Sequence, residues 1–173
     1  MSQHAGEDGP QFLVSGLGVA AATLVLDQAH KWYMLLIRGI QEGERVYVTP
    51  FFDWYYVKNE GISYGLFTQE SQFGQWLLAG FAALAAVLLG LWLARGVTNR
   101  LMAWSVGLIM GGAVSNAIDR LVLGGVADFF SLHAFGSYWY VFNVADVAIV
   151  AGVVGLLYDS FMPTRNGAPK STQ

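Results

Sequence analysis

The chain has no cysteine among its 173 residues. That excludes disulfides, thiolate metal sites and a cysteine nucleophile. Charge is scarce as well. Asp, Glu, Lys and Arg make up 12% of the sequence, whereas a soluble domain carries about 25%. With a hydrophobic fraction of 55% and a mean hydropathy of +0.46, most of the exterior must face lipid. The net charge of −3 offers no basic footprint for nucleic acid. Histidine is limited to His4, His30 and His133, and no HExxH, P-loop, dinucleotide fingerprint or GxSxG elbow occurs. A zinc protease is therefore disfavoured, and a serine–histidine pair would have to join His133 to Ser115 or Ser131. His133 reads instead as a loop residue with a surface hydrogen bond, and Ser115 as a small packing residue. Glu7 and Asp8 stand near the start, where a secretory signal would carry positive charge. The first apolar segment is thus expected to be a retained membrane helix.

What the chain does have is long apolar runs. A helix needs about 20 such residues to cross the hydrocarbon core. Four segments qualify, at about 12–37, 71–94, 101–123 and 140–161. They predict one membrane-embedded domain over 1–173, with flexible ends at 1–9 and 163–173. The insert at about 39–72 contains β-prone runs at 45–48 and 51–57 and reads as a small sheet lying on the membrane surface. Arg95 and Arg100 in the short link, and Arg165 and Lys170 in the tail, favour cytoplasmic termini, since the 123–139 link has no Lys or Arg. Trp32, Trp54, Tyr55, Tyr56, Trp139 and Tyr140 then gather on the outer side as an interfacial belt. Gly107 and Gly111 form a small-xxx-small pair that admits another helix closely.

Against this apolar background a few polar residues stand out. A charge at the bilayer centre costs about 2.5–3.5 kcal/mol on insertion scales, so such residues are functional candidates. The third segment holds Asn116, Asp119 and Arg120; the fourth holds Asn143 and Asp146; Asp128 lies between them. Spacings of three and four place side chains on neighbouring helix faces. Asp27 and Lys31, four apart, could be helix glue, or the Lys could snorkel outward. Asp119 and Arg120, adjacent in sequence, could be structural ion-pair partners. Glue explains Asp128 and Asp146 poorly, because neither has a neighbouring cation in sequence. Two carboxylates in one site can share a proton, one acting as acid and the other as base. Residues 59–65, from Asn59 to Gly65, read equally as a turn and as a loop that brings the Asn59 amide to a peptide carbonyl.

Taken together, the motifs at 27–31, 59–65, 111–120, 126–129 and 142–146 resemble, in order and spacing, those of the bacterial lipoprotein signal peptidases (signal peptidase II). Ser115 stands where that family usually has Gly, and Tyr64 where it usually has Phe. The resemblance implies an all-α membrane protein of four transmembrane helices, with an extracytoplasmic β-cradle and a short periplasmic helix. It implies an aspartic endopeptidase of the bacterial cytoplasmic (inner) membrane that cuts diacylglyceryl-modified prolipoproteins before the lipidated Cys. The matched catalytic positions are Asp128 and Asp146. Asn59, Gly111, Asn116, Asp119, Arg120 and Asn143 match substrate-binding or supporting positions, and Asp27 one needed for stability or activity. No cofactor and no metal are expected. The expected partners are the prolipoprotein and membrane lipid, with the enzyme a monomer and its active site towards the outer leaflet. A small proton-coupled transporter or channel subunit is the alternative, although four spans without an inverted repeat or a broken-helix pair argue against it. A structural subunit held by polar glue is the third reading.

Overall fold

The computed structural model describes residues 8–61 and 71–161. Its elements, in chain order, are α1 (Asp8–Trp32) with a π-helical turn (Tyr33–Ile37), β1 (Arg45–Thr49), β2 (Phe52–Asn59), α2 (Gln72–Arg95), α3 (Arg100–Val122), β3 (Val126–Ala134), β4 (Ser137–Phe142) and α4 (Val144–Phe161). All four α-helices are long and apolar enough to span a membrane, and the protein is a multi-pass membrane protein.

Side chains set the helix ends. The Ser71 hydroxyl accepts from Gly74 N (3.1 Å) at the start of α2, and the Asn99 carbonyl accepts from Met102 N (2.9 Å) at the start of α3. Each satisfies an amide that has no intrahelical partner. Asn99 also donates to Asp159 of α4 (2.9 Å), which ties the α2–α3 turn to the far end of α4.

α3 is the most buried helix and packs against α1, α2 and α4. Glycine makes this possible. A Cβ at Gly107 would collide with the Gly16 carbonyl, and one at Gly111 with the Ala20 carbonyl. On another face, a Cβ at Gly112 would lie 2.7 Å from the Ala145 carbonyl of α4. The small-residue pair thus seats α1, while Gly112 admits the start of α4.

The strands form one antiparallel sheet of order β1-β2-β3-β4. It is built jointly by the 39–72 insert and the link between α3 and α4. Val57 pairs with Asp128, and Phe130 with Phe142. Met34 and Ile40 pack with Tyr56, Ala127 and Phe129 in a core that fixes the sheet on the end of α1. A second core, with Leu93, Val97, Ala103 and Val106, lies at the other end of the bundle.

Several boundaries differ from the sequence reading. The fourth helix starts at Val144, not near 140, because Tyr138 to Phe142 are aromatic or β-branched and pair with β3. The 123–139 link is mostly a hairpin arm, so His133 lies on a strand, its Nε2 3.4 Å from Asp53 and its ring against Tyr138. The short periplasmic helix has no counterpart among the described residues. Residues 62–65 of the 59–65 motif lie outside them, as do 1–7 and 162–173, while residues 8 and 9, expected in the flexible N-terminal end, already belong to α1.

Candidate active site

The site forms where the sheet meets the start of α4. Asn143 and Asp146 cap that helix reciprocally. The Asn143 Oδ1 accepts from Asp146 N (2.8 Å), and Asp146 Oδ2 accepts from Asn143 N (3.1 Å). This is a capping box in which Asp replaces the usual Glu or Gln. It fixes Asp146 in the first helical turn and points the Asn143 amide nitrogen at β3. That nitrogen donates to Asp128 Oδ1 (2.6 Å). One asparagine therefore bridges the two acids. Asn59, at the end of β2, donates to the second Asp128 oxygen (3.1 Å).

Asn116 of α3 supplies the other link. Its Nδ2 donates to Asp146 Oδ1 (3.1 Å). Its Oδ1 accepts from Lys31 Nζ (3.1 Å) and from Asn143 Nδ2 (3.2 Å). Because an ammonium group can only donate, Lys31 dictates which way this amide faces.

Behind the acids lies a buried ionic cluster. Lys31 Nζ is 2.6 Å from Asp27 Oδ2 and 2.7 Å from Asp119 Oδ2, and it is only 1% exposed. The snorkelling alternative for Lys31 is therefore excluded, and Asp119 pairs with Lys31 rather than with Arg120. The remaining lone pairs are also used. Asp27 accepts from Ser115 Oγ (2.6 Å) and Ala145 N (2.9 Å), and Asp119 from Gln28 Nε2 (2.8 Å) and Ala127 N (3.1 Å). Asp27 thereby holds the start of α4, and Asp119 the start of β3. Both elements carry a member of the acid pair.

Arg120 bends towards the insert and donates to the Asn116 and Gly61 carbonyls (both 3.2 Å). Its buried Nε has no hydrogen-bond partner among the described residues. A cavity of about 450 Å³ opens beside it. Asn59, Asn116, Arg120 and Asp146 line its polar side, and apolar residues such as Ala85 of α2 and Ile149 of α4 its walls. Asp146 is half-buried and reaches this space, whereas Asp128 is 2% exposed and sits behind it. Burial, and then the neighbouring Asp146 charge, push the Asp128 carboxyl up to about 8 from its ordinary 3.8.

The structure thus gathers Asp128, Asp146, Asn59, Asn116, Asn143 and Arg120 at one place, with Asp27 and Asp119 one contact behind. Gly111 lies away from them, at the α1 crossing. The sequence reading missed Gln28 and Ser115, and took Ser115 for packing. Their only signal was a polar side chain on an apolar helix beside a motif acid. No group of three or more His, Asp or Glu placed to hold a metal occurs among the described residues.

Fold and site together define a multi-pass membrane protein with an amide-bridged pair of acids at one end of its bundle. The sequence model of the family described as "Signal peptidase (SPase) II" matches residues 19–162, and the chain belongs to that family of peptidases. It is 52% identical over 155 residues to the lipoprotein signal peptidase of Methylobacterium sp. (strain 4-46), covering 90% of this chain and 93% of the relative. To that of Beijerinckia indica subsp. indica it is 48% identical over 153 residues, covering 88% and 91%. A solved structure described as a bacterial membrane enzyme, determined by the in meso method at 2.3 Å resolution, superimposes with a TM-score of 0.76 at 22% identity, covering 91% of this chain and 94% of that one. That likeness supports the fold alone.

Proposed function

We propose that this membrane peptidase removes the signal peptide from diacylglyceryl-modified prolipoproteins, cutting before the lipidated Cys, with Asp128 and Asp146 as its catalytic pair. The observation that carries the assignment is the Asn143 bridge: this one residue holds both carboxyls, Asp128 through its side-chain amide and Asp146 through its backbone N–H, beside a cavity lined by Asp146, Asn59, Asn116 and Arg120. The transport reading gains nothing from the comparisons.

Asp146, which reaches the cavity, is the base. It takes a proton from water as the water oxygen attacks the scissile carbonyl carbon. Asp128 keeps its proton at neutral pH and hydrogen-bonds the carbonyl oxygen as negative charge develops there. Arg120, through its Nε, and Asn59 add donors to that oxygen. When the C–N bond breaks, the proton held by Asp146 passes to the departing nitrogen. The carboxyl product and the amine then leave, and the pair shares one proton again. Lys31, Asp27 and Asp119 touch no substrate in this scheme. They hold Asn116, α4 and β3 in register. Working as a monomer in the cytoplasmic membrane, with both termini cytoplasmic, the enzyme meets its substrate at the outer leaflet.

The test is direct. Purified protein in detergent, given a diacylglyceryl-modified precursor, should release the shortened product. Asp128→Asn and Asp146→Asn should each fold and insert while losing nearly all turnover. Near-normal cleavage by either variant would remove it from the pair.

A further inference from the structure

A second groove, of about 370 Å³, lies on the other side of Asp146. Its floor is a single stripe of α4: Val147, Val150, Ala151 and Val154, spaced i, i+3, i+4, i+7. These span about 10 Å along the helix. Its other wall is the sheet, through Leu132 of β3 and Trp139, Tyr140 and Phe142 of β4. The two grooves adjoin, since Asp146, Tyr140 and Val150 line both.

We propose that this second groove holds one acyl chain of the substrate's diacylglyceryl group; the proposal rests on the proteolytic reading above. At the bond to be cut, a lipidated precursor has limbs of different chemistry. The peptide limb carries amides that need hydrogen bonds. The first cavity offers Asn59, Asn116 and Arg120 to meet them. It lies between α2 and α4, which pack on α3 rather than on each other. The acyl limb has no hydrogen-bonding group and is best placed where none is required. In the second groove Asp146 is the sole charged side chain, and it stands at the end shared with the first cavity. The floor is otherwise Val and Ala, with Val150 and Val154 both more than half exposed. The aromatic wall separates this groove from an ordinary lipid-facing helix surface, since a chain lying in it meets the sheet as well as α4. The acid at which both grooves meet is where the peptide and lipid limbs of one residue must diverge.

Two measurements test this. In the first, wild type and Ala151→Trp are given precursors that differ only in bearing palmitoyl or hexanoyl chains. Wild type should prefer the palmitoyl substrate. Filling the groove should lower the long-to-short ratio of kcat/KM about tenfold, the low end of the discrimination an apolar pocket supplies. Leu84→Trp, on the exposed face of α2 outside both grooves, should leave the ratio as in wild type. In the second, the precursor carries a photoreactive group at its acyl terminus, and wild type is mapped after irradiation. Adducts on residues 147–154 support the assignment. Adducts on α2 around Ala82 and Ala85 would overturn it, by placing the lipid in the first cavity. An unaltered ratio in Ala151→Trp would overturn it as well, while the cleavage itself would keep the proteolytic reading. Failure of wild type to cut either precursor would instead defeat that reading.

Discussion

Replacing Lys31 with methionine keeps the aliphatic stem and deletes the ammonium group that Asp27 and Asp119 share. All three side chains are at most 3% exposed, and the two ion-pair distances are 2.6 and 2.7 Å. Removing one partner of a buried pair costs about 3–5 kcal/mol, because the other charge stays buried. Here two acids would be left, but each retains two protein donors, the Ser115 hydroxyl and Ala145 N on one and the Gln28 amide and Ala127 N on the other. One of the acids can also take up a proton. The lower end, about 3 kcal/mol, is therefore expected. For a chain of this length that is a fall of roughly 6–12 °C in the unfolding midpoint in detergent. Turnover per folded molecule should fall too, since Asn116 loses the donor that orients its amide towards Asp146. The triple variant Lys31→Met, Asp27→Asn, Asp119→Asn should recover much of the stability, because neutral groups replace the stranded charges and the three sites are coupled. A Lys31→Met protein that unfolds with wild type, or a triple variant less stable than the single one, would refute this account of the cluster.

Five other outcomes are expected. The Asp128 carboxyl, pushed up to about 8 from 3.8, keeps in the folded protein a proton that the unfolded chain releases; its stabilising contribution is full below about pH 4 and lost as pH rises to about 8. Asp128→Asn should therefore unfold at a higher temperature than wild type at pH 8, with a gap that narrows towards pH 4, and a gap independent of pH would contradict the buried acid. Wild-type turnover should also decline above about pH 8. Arg120→Ala should cut kcat sharply with a smaller change in unfolding midpoint; the opposite pattern, measured on one preparation, would reduce Arg120 to a staple for the Gly61 carbonyl. A reporter fused after Val97 should read as cytoplasmic and one inserted at Glu42 as external, and the reverse would put the acids on the wrong side for a translocated precursor. EDTA, thiol reagents and serine reagents should leave the rate unchanged, whereas loss to chelator with recovery on zinc would exclude the two-acid mechanism.

Much of this site was legible in the chain, for reasons that differ from residue to residue. Asp128, Asp146, Asn116, Asn143 and Arg120 stand out because polar groups are scarce in apolar segments, and the resemblance assigned them roles. The Asn143–Asp146 spacing was visible too, although it was read as a helix face and not as a capping box. That distinction depends on where α4 begins. The apolar and aromatic residues at 138–142 extend a membrane-like run in the sequence, and only their pairing with β3 makes them a strand. Ser115 shows the opposite limit. A serine on an apolar helix is most often packing, and nothing local shows that an Asp 88 positions away will accept a hydrogen bond from its hydroxyl.

The sequence by itself determined the four spans and the membrane habitat, and it singled out the acids that the fold brings together around Asn143. Hydropathy and the cost of intramembrane charge act on each segment alone, so a linear reading captures them. Which cation neutralises which acid, which amide bridges the pair, and which carboxyl reaches the cavity were decided by tertiary structure. Lys31 could have paired with Asp27 alone or left the bundle. The close α1–α3 contact at Gly107 and Gly111 brings its ammonium between Asp27 and Asp119, and the low dielectric there makes any other partner far more costly.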